Sequence, residues 1–164
     1  MSKKPLIIGL SVAVLALTGY LVFTQPPPQP STNAVVPSGW QTVDTGKFTI
    51  ALPSGWEYVP SRGIDSFVGE FVGDGVTLSF DYGWYSGIPE YNDASNVTIT
   101  TETIDGYSAQ IVVPTVPGTD TVGVYFSDLG SDNRLSITSD ARTAEEQEVV
   151  LVIFRSLQFT EISP

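Results

Sequence analysis

The sequence predicts an α+β protein, an antiparallel β-sheet covered by few helices, set behind an N-terminal transmembrane helix. Three observations predict it. From Trp40 onward, short segments of alternating apolar and polar residues are joined by turns too short for crossover connections, so the strands pair antiparallel. Helical spacing is concentrated in one segment of the domain, near the C-terminus. Ahead of the domain stand an unbroken apolar run and then a proline tract.

Residues 1–24 form the anchor or signal segment. Lys3 and Lys4 precede 18 uncharged, mostly apolar residues, Leu6 to Phe23. As a helix rising ~1.5 Å per residue this run spans about 27 Å, close to the thickness of a bilayer's hydrocarbon core. A removable signal has a shorter apolar core and then a small-x-small cleavage site. Here the run ends in Tyr20, Leu21, Val22 and Phe23 with no such site, so an uncleaved anchor is preferred and cleavage is the alternative. Either way, the two lysines hold the N-terminus in the cytoplasm and the rest is expected outside it. The linker, residues 25–39, begins "QPPPQP". Its prolines favour extended polyproline II, a stiff spacer in which a dozen residues reach about 37 Å.

The domain is expected over residues 40–164. "WQTVD" and "KFTIALP" read as strands about a Thr45-Gly46 turn, and "SGWEYV" follows Pro53. "DSFVGEFVG" and "GVTLSFDYG" flank Gly73-Asp74-Gly75, and "NVTITTETI" and "YSAQIVVP" flank Asp105-Gly106, both hairpin signals. "DTVGVYFSD" and "RLSITSD" flank "LGSDN". In "TAEEQEVVLVIFRSLQF", Thr143 and Glu146 have capping-box spacing, and Val150, Ile153, Phe154 and Leu157 recur at helical intervals. Val149 to Phe154 is also a run rich in β-branched residues, so a strand competes. The caps and the length favour a helix, with Leu157 to Phe159 beginning a final extended piece.

Composition excludes several chemistries. There is no cysteine and no histidine. Disulfides, thiolate metal sites and lipidation of an N-terminal cysteine are therefore ruled out, as are a cysteine nucleophile and a Ser-His-Asp triad. Ser54-Gly55 and Ser86-Gly87 also lack the glycine two residues before the serine that a nucleophile elbow uses. Beyond Lys4, all 18 acids face five basic residues, Lys47, Arg62, Arg134, Arg142 and Arg155. A domain this acidic repels phosphate backbones and anionic lipid surfaces, so nucleic acid is not an expected partner. No cofactor and no metal centre is expected.

The stretch "FDYGWYSGIPEYND", Phe80 to Asp93, is the best candidate for a site. Alternation places Phe80 and Tyr82 on the core face. Gly83 and Gly87 release the backbone and Pro89 cannot donate to a ladder, so Trp84, Tyr85 and Tyr91 fall in a loop. Exposed, these three would be ligand-binding residues, suited to stacking on sugar, peptide or a protein surface. Folded back, they would be a lid over the core. Asp65, Glu70, Asp74 and Asp81 lie on or near one hairpin and could form an acid pair, against the plainer reading of a solvated acidic face. "DLGSDN", Asp128 to Asn133, offers oxygen ligands without the EF-hand order, and a turn accounts for it better. "NVT" at Asn96 matches the glycosylation acceptor pattern, a weak signal in three residues.

"GKFTIALPSGWEYV", with Phe48, Ile50, Pro53 and Trp56 in a Phe-x-Ile-x-x-Pro-x-x-Trp pattern, is followed by "DSFVGEFVGDGVTLSFDYG", "DGYSAQIV" and a last helix ending "FRSLQF". Together they resemble the PsbP-like superfamily over Trp40 to Phe159. The resemblance implies an antiparallel sheet sandwiched by helices. "EYVPSRGID" between Trp56 and Ser66 is too short and proline-broken for a helix, so one helical layer is expected to be reduced or missing. No residue licenses the photosystem role of some members, because a shared fold does not carry function. The expectation is a single-pass, membrane-anchored, non-enzymatic extracytoplasmic domain that binds an envelope protein, a polysaccharide or another ligand. The alternatives are a cell-envelope hydrolase using acidic residues and an accessory subunit of a membrane complex.

Overall fold

A computed structural model of the chain describes residues 35–160. The expected anchor, residues 25–34 of the linker and residues 161–164 lie outside them, and among the described residues no helix is long and apolar enough to cross a membrane. The strands are β1 (Gln41–Asp44), β2 (Phe48–Leu52), β3 (Glu57–Pro60), β4 (Phe67–Gly73), β5 (Val76–Gly83), β6 (Val97–Ile104), β7 (Tyr107–Pro114), β8 (Val122–Phe126), β9 (Arg134–Ser139) and β10 (Gln158–Phe159). One helix, α1 (Ala144–Arg155), precedes β10, and a 3₁₀ turn (Ala94–Asn96) precedes β6. The fold is thus α+β, rich in antiparallel sheet.

The strands divide into two sheets rather than one. The larger runs β3-β4-β5-β9-β8-β7-β6 and the smaller β1-β2-β10, every neighbouring pair antiparallel. The division follows from β2, whose two edges are taken by β1 and β10. Its buried Phe48, Ile50 and Leu52 must cover an apolar face elsewhere. Phe48 meets Phe71 and Phe80 edge-on, at centroid separations of 6.4 and 5.3 Å. Phe159 of β10 meets Phe126 and Tyr107. These partners lie on one face of the large sheet, so the small sheet is a second layer over it.

Both expected hairpins use two-residue turns in which each central residue has positive φ. Asp74 and Gly75 stand at 52° and 80°, and Asp105 and Gly106 at 49° and 82°. That is the type I′ geometry whose twist matches the flanking strands.

The C-terminal segment is helical, as the caps predict. The Thr143 hydroxyl accepts the Glu146 amide at 3.1 Å, while the Glu146 carboxylate accepts the Thr143 amide at 3.0 Å. Val150, Ile153, Phe154 and Leu157 are all buried. Arg155 makes a bidentate pair with Glu102 of β6, at 2.9 and 2.8 Å. Glu102 lies opposite buried Ala109. The helix therefore covers the same face as the small sheet. Among the described residues no helix covers the opposite face.

Candidate functional site

The uncovered face of the large sheet is polar by alternation. It carries Glu70 of β4, Thr77, Ser79 and Asp81 of β5, Ser136 and Thr138 of β9 and Gln110 of β7. What crosses it is the segment from Trp84 to Asn96. The topology requires this crossing. β5 lies beside β9, yet the next strand, β6, sits at the far edge, beyond β9, β8 and β7. The chain must pass over all three.

Three contacts pin this strap. Ser86 is fully buried, and its Oγ donates to the Ser136 Oγ at 3.1 Å. Pro89 is buried above Gly123 of β8, where a Cβ would stand 2.6 Å from the proline Cγ. Only glycine leaves room for the ring. The Asn92 amide donates to Asp120 Oδ2 at 2.8 Å, and Asp93 caps the 3₁₀ turn through the Ser95 amide. Amide bonds from Thr121 and Asn92 hold the Asp120 carboxyl below its usual range, and the Ser95 bonds do the same for Asp93.

The chain splits at Gly83 as alternation predicts. Phe80 and Tyr82 are core residues, and burial pushes the Tyr82 phenol up. Immediately afterwards, Trp84 is 56% and Tyr85 73% exposed, with Ile88 at 51%. The lid and the projecting loop are thus both present in one segment. Ser86 and Pro89 face the sheet while Trp84, Tyr85 and Ile88 face out. Tyr91 is half-buried next to Asn92, at the other end of the strap, so it does not join the Trp84–Tyr85 pair. Around the pair lie the loop before β4, with Ile64 99% exposed and Asp65 abutting Gly83, and the loop before β9.

The four acids near the β4–β5 hairpin do not converge. Asp65 is exposed beside Gly83, whereas Asp74 is at the hairpin turn at the opposite end of β5, accepting the Trp56 Nε1–H at 2.9 Å. Glu70 and Asp81 share the polar face but oppose Ser79 and Val68. Asp81 Oδ1 is buried without a hydrogen-bond partner among the described residues, on a residue paired in register with Ser136. Asp128 to Asn133 is a turn: Asp128 Oδ1 accepts the Gly130 amide at 2.9 Å, and Ser131 and Asp132 have positive φ. Among the described residues no three acids come together as metal ligands.

Sequence reasoning missed a polar groove at the Asp74 end of the same face. Its larger lobe, about 410 Å³, is lined by Thr77, Ser79, Thr121, Thr138, Ser139 and Asp140. A second lobe continues past Asp120 to Arg142. The only local signal was the run of Ser and Thr on alternate strand positions, and what assembles them is long-range pairing across β5, β9 and β8. No protein-family model matches this chain, and no curated protein matches it significantly.

Proposed function

We propose that this chain is a membrane-anchored, non-enzymatic extracytoplasmic domain of the PsbP-like type, and that it binds a protein or another extended ligand through Trp84 and Tyr85. The observation that carries this reading is two adjacent large aromatics, more than half exposed, on a strap pinned to the sheet. Tryptophan and tyrosine contribute most at contact centres because they bury much area at small entropic cost. The single helical layer among the described residues suits a reduced version of the sandwich that the resemblance implies, and the anchor rests on the apolar run of residues 6–23. The dispersed acids favour binding over hydrolysis. An accessory subunit would use the same surface with a permanent partner.

The test compares the intact wild-type protein with Trp84→Ala and Tyr85→Ala, each solubilised in mild detergent after cross-linking in its own membrane. Partners recovered with the wild type should fall at least tenfold in both variants, with the melting temperature unchanged, because neither ring is in the core. The same partners recovered in full by both variants would refute the aromatic site. Stoichiometric recovery without cross-linking would favour the accessory-subunit reading.

A further inference from the structure

β6 is an open edge. It is the last strand of the large sheet, eight residues long, and pairs with β7 at eight consecutive positions without a bulge. Its free side is predictable. A two-residue turn at Asp105-Gly106 makes Ile104 and Tyr107 the closing hydrogen-bonded pair, so even-numbered residues bond to β7 and odd-numbered ones point away. The bond from the Thr115 amide to the Asn96 carbonyl, 2.8 Å, keeps this parity at the other end. Val97, Ile99, Thr101 and Thr103 therefore direct their amides and carbonyls to the free side.

Proteins protect such edges with proline, lysine, bulges or brevity. The other outer edges have such protection. β3 has four residues and ends at Pro60, β1 has four, and β10 has two, with the Phe159 amide bonded to Asp105. β6 has none of these, and its one charge, Glu102, is already paired with Arg155. We propose that the β6 edge is a homodimer interface, in which two copies pair antiparallel about a two-fold axis through Thr100 and join their large sheets into one.

The sequence is self-complementary in that register. Val97 meets the partner's Thr103 and Ile99 meets the partner's Thr101, each as a hydrogen-bonded pair. All outward groups of the four residues are satisfied on both copies. Thr100 faces its own equivalent as a non-bonded pair, Thr98 faces the partner's Glu102, and no like charges are opposed. β-branched pairs of this kind stabilise adjacent strands. Pro26, Pro27, Pro28 and Pro30 at the start of the linker lack the amides a strand must donate. The interface is isologous and so closes at two copies. It is independent of the aromatic pair on the strap.

The absence of cysteine makes the register directly testable. Non-bonded antiparallel pairs bring Cα atoms to about 4.5 Å, within reach of a disulfide. The full chain carrying Thr100→Cys, in mild detergent with a copper–phenanthroline oxidant, should cross-link to a dimer at least tenfold faster than Thr98→Cys or Val116→Cys. The latter is an exposed control outside β6. Adding Thr101→Pro removes one outward amide without touching the bonds to β7, and should abolish the cross-link. If circular dichroism shows that this variant does not fold, I99K/T101K opposes like charges across the interface and should have the same effect. Cross-linking of Thr100→Cys no faster than the Val116→Cys control, or unaffected by the disrupting changes, overturns the proposal.

Discussion

Phe154→Ala is expected to cost about 4 kcal/mol. The ring is fully buried in the cluster that joins the large sheet, β2 and the helix. Truncation to alanine removes roughly 100 Å² of buried apolar surface, which at ~25 cal/mol per Å² is about 2.5 kcal/mol. The remainder depends on whether the helix can settle into the void, and three ties prevent it. The capping box fixes the first turn, the bidentate Arg155–Glu102 pair fixes the last, and the Ser156 Oγ accepts the Ala51 amide of β2 at 2.9 Å. A residual cavity of some 50 Å³ then adds about 1.2 kcal/mol at ~24 cal/mol per Å³. For a domain of this size the melting temperature should fall by roughly 10–18 °C. Scanning calorimetry with circular dichroism at 222 nm on the full chain measures it, and Glu148→Ala on the exposed side of the helix should move it little. A fall below about 3 °C for Phe154→Ala would show that the helix is not held against the sheet as described.

Two further expectations follow from local geometry. A Cβ at Gly73 would stand 2.2 Å from Trp56 Cδ1, so Gly73→Ala should displace the indole, break its bond to Asp74 and cost about 1–3 kcal/mol, seen as a red shift of tryptophan emission with a lowered melting temperature. Unchanged emission and melting would refute that packing. Hydrogen bonds from Arg155 hold the Glu102 carboxyl below its ordinary value near 4.5, so its contribution is complete above that value and is lost as pH falls through the depressed one. Glu102→Gln should therefore cost about 1 kcal/mol at neutral pH, a figure limited by solvent screening, and the gap between the two melting curves should close in acid. A gap independent of pH would assign the loss to packing.

Local features of the sequence carried most of the secondary structure because each was a local physical commitment. The type I′ turns follow from Asp-Gly pairs that tolerate positive φ, and the helix start follows from Thr143 and Glu146 bonding each other across one turn. The partition into two sheets was not legible. It depends on Phe159, at the end of the chain, reaching β2 near its beginning, and two residues of β10 carry no alternation to read. Tyr91 stands apart from Trp84 and Tyr85 along the strap for a related reason. Closeness in sequence implies closeness in space only when the intervening chain turns back, and here it runs straight across the sheet.

That crossing also explains why one segment satisfied two opposed readings. A strap spanning β9 and β8 must bury part of itself, and it does so with its smallest and stiffest residues: Ser86 against Ser136, and Pro89 in the space that Gly123 leaves free. The large side chains before and between them, Trp84, Tyr85 and Ile88, then have no room beneath and are held outward. An exposed aromatic on a slack loop loses backbone freedom on binding, which offsets much of its contact energy. On a strap fixed at Gly83, Ser86 and Pro89, most of that loss has already been taken in folding. The two rings that sequence alone marked as either lid or binding surface are therefore displayed by the lid itself, and Gly123, which lies outside the aromatic stretch altogether, is the residue that permits the display.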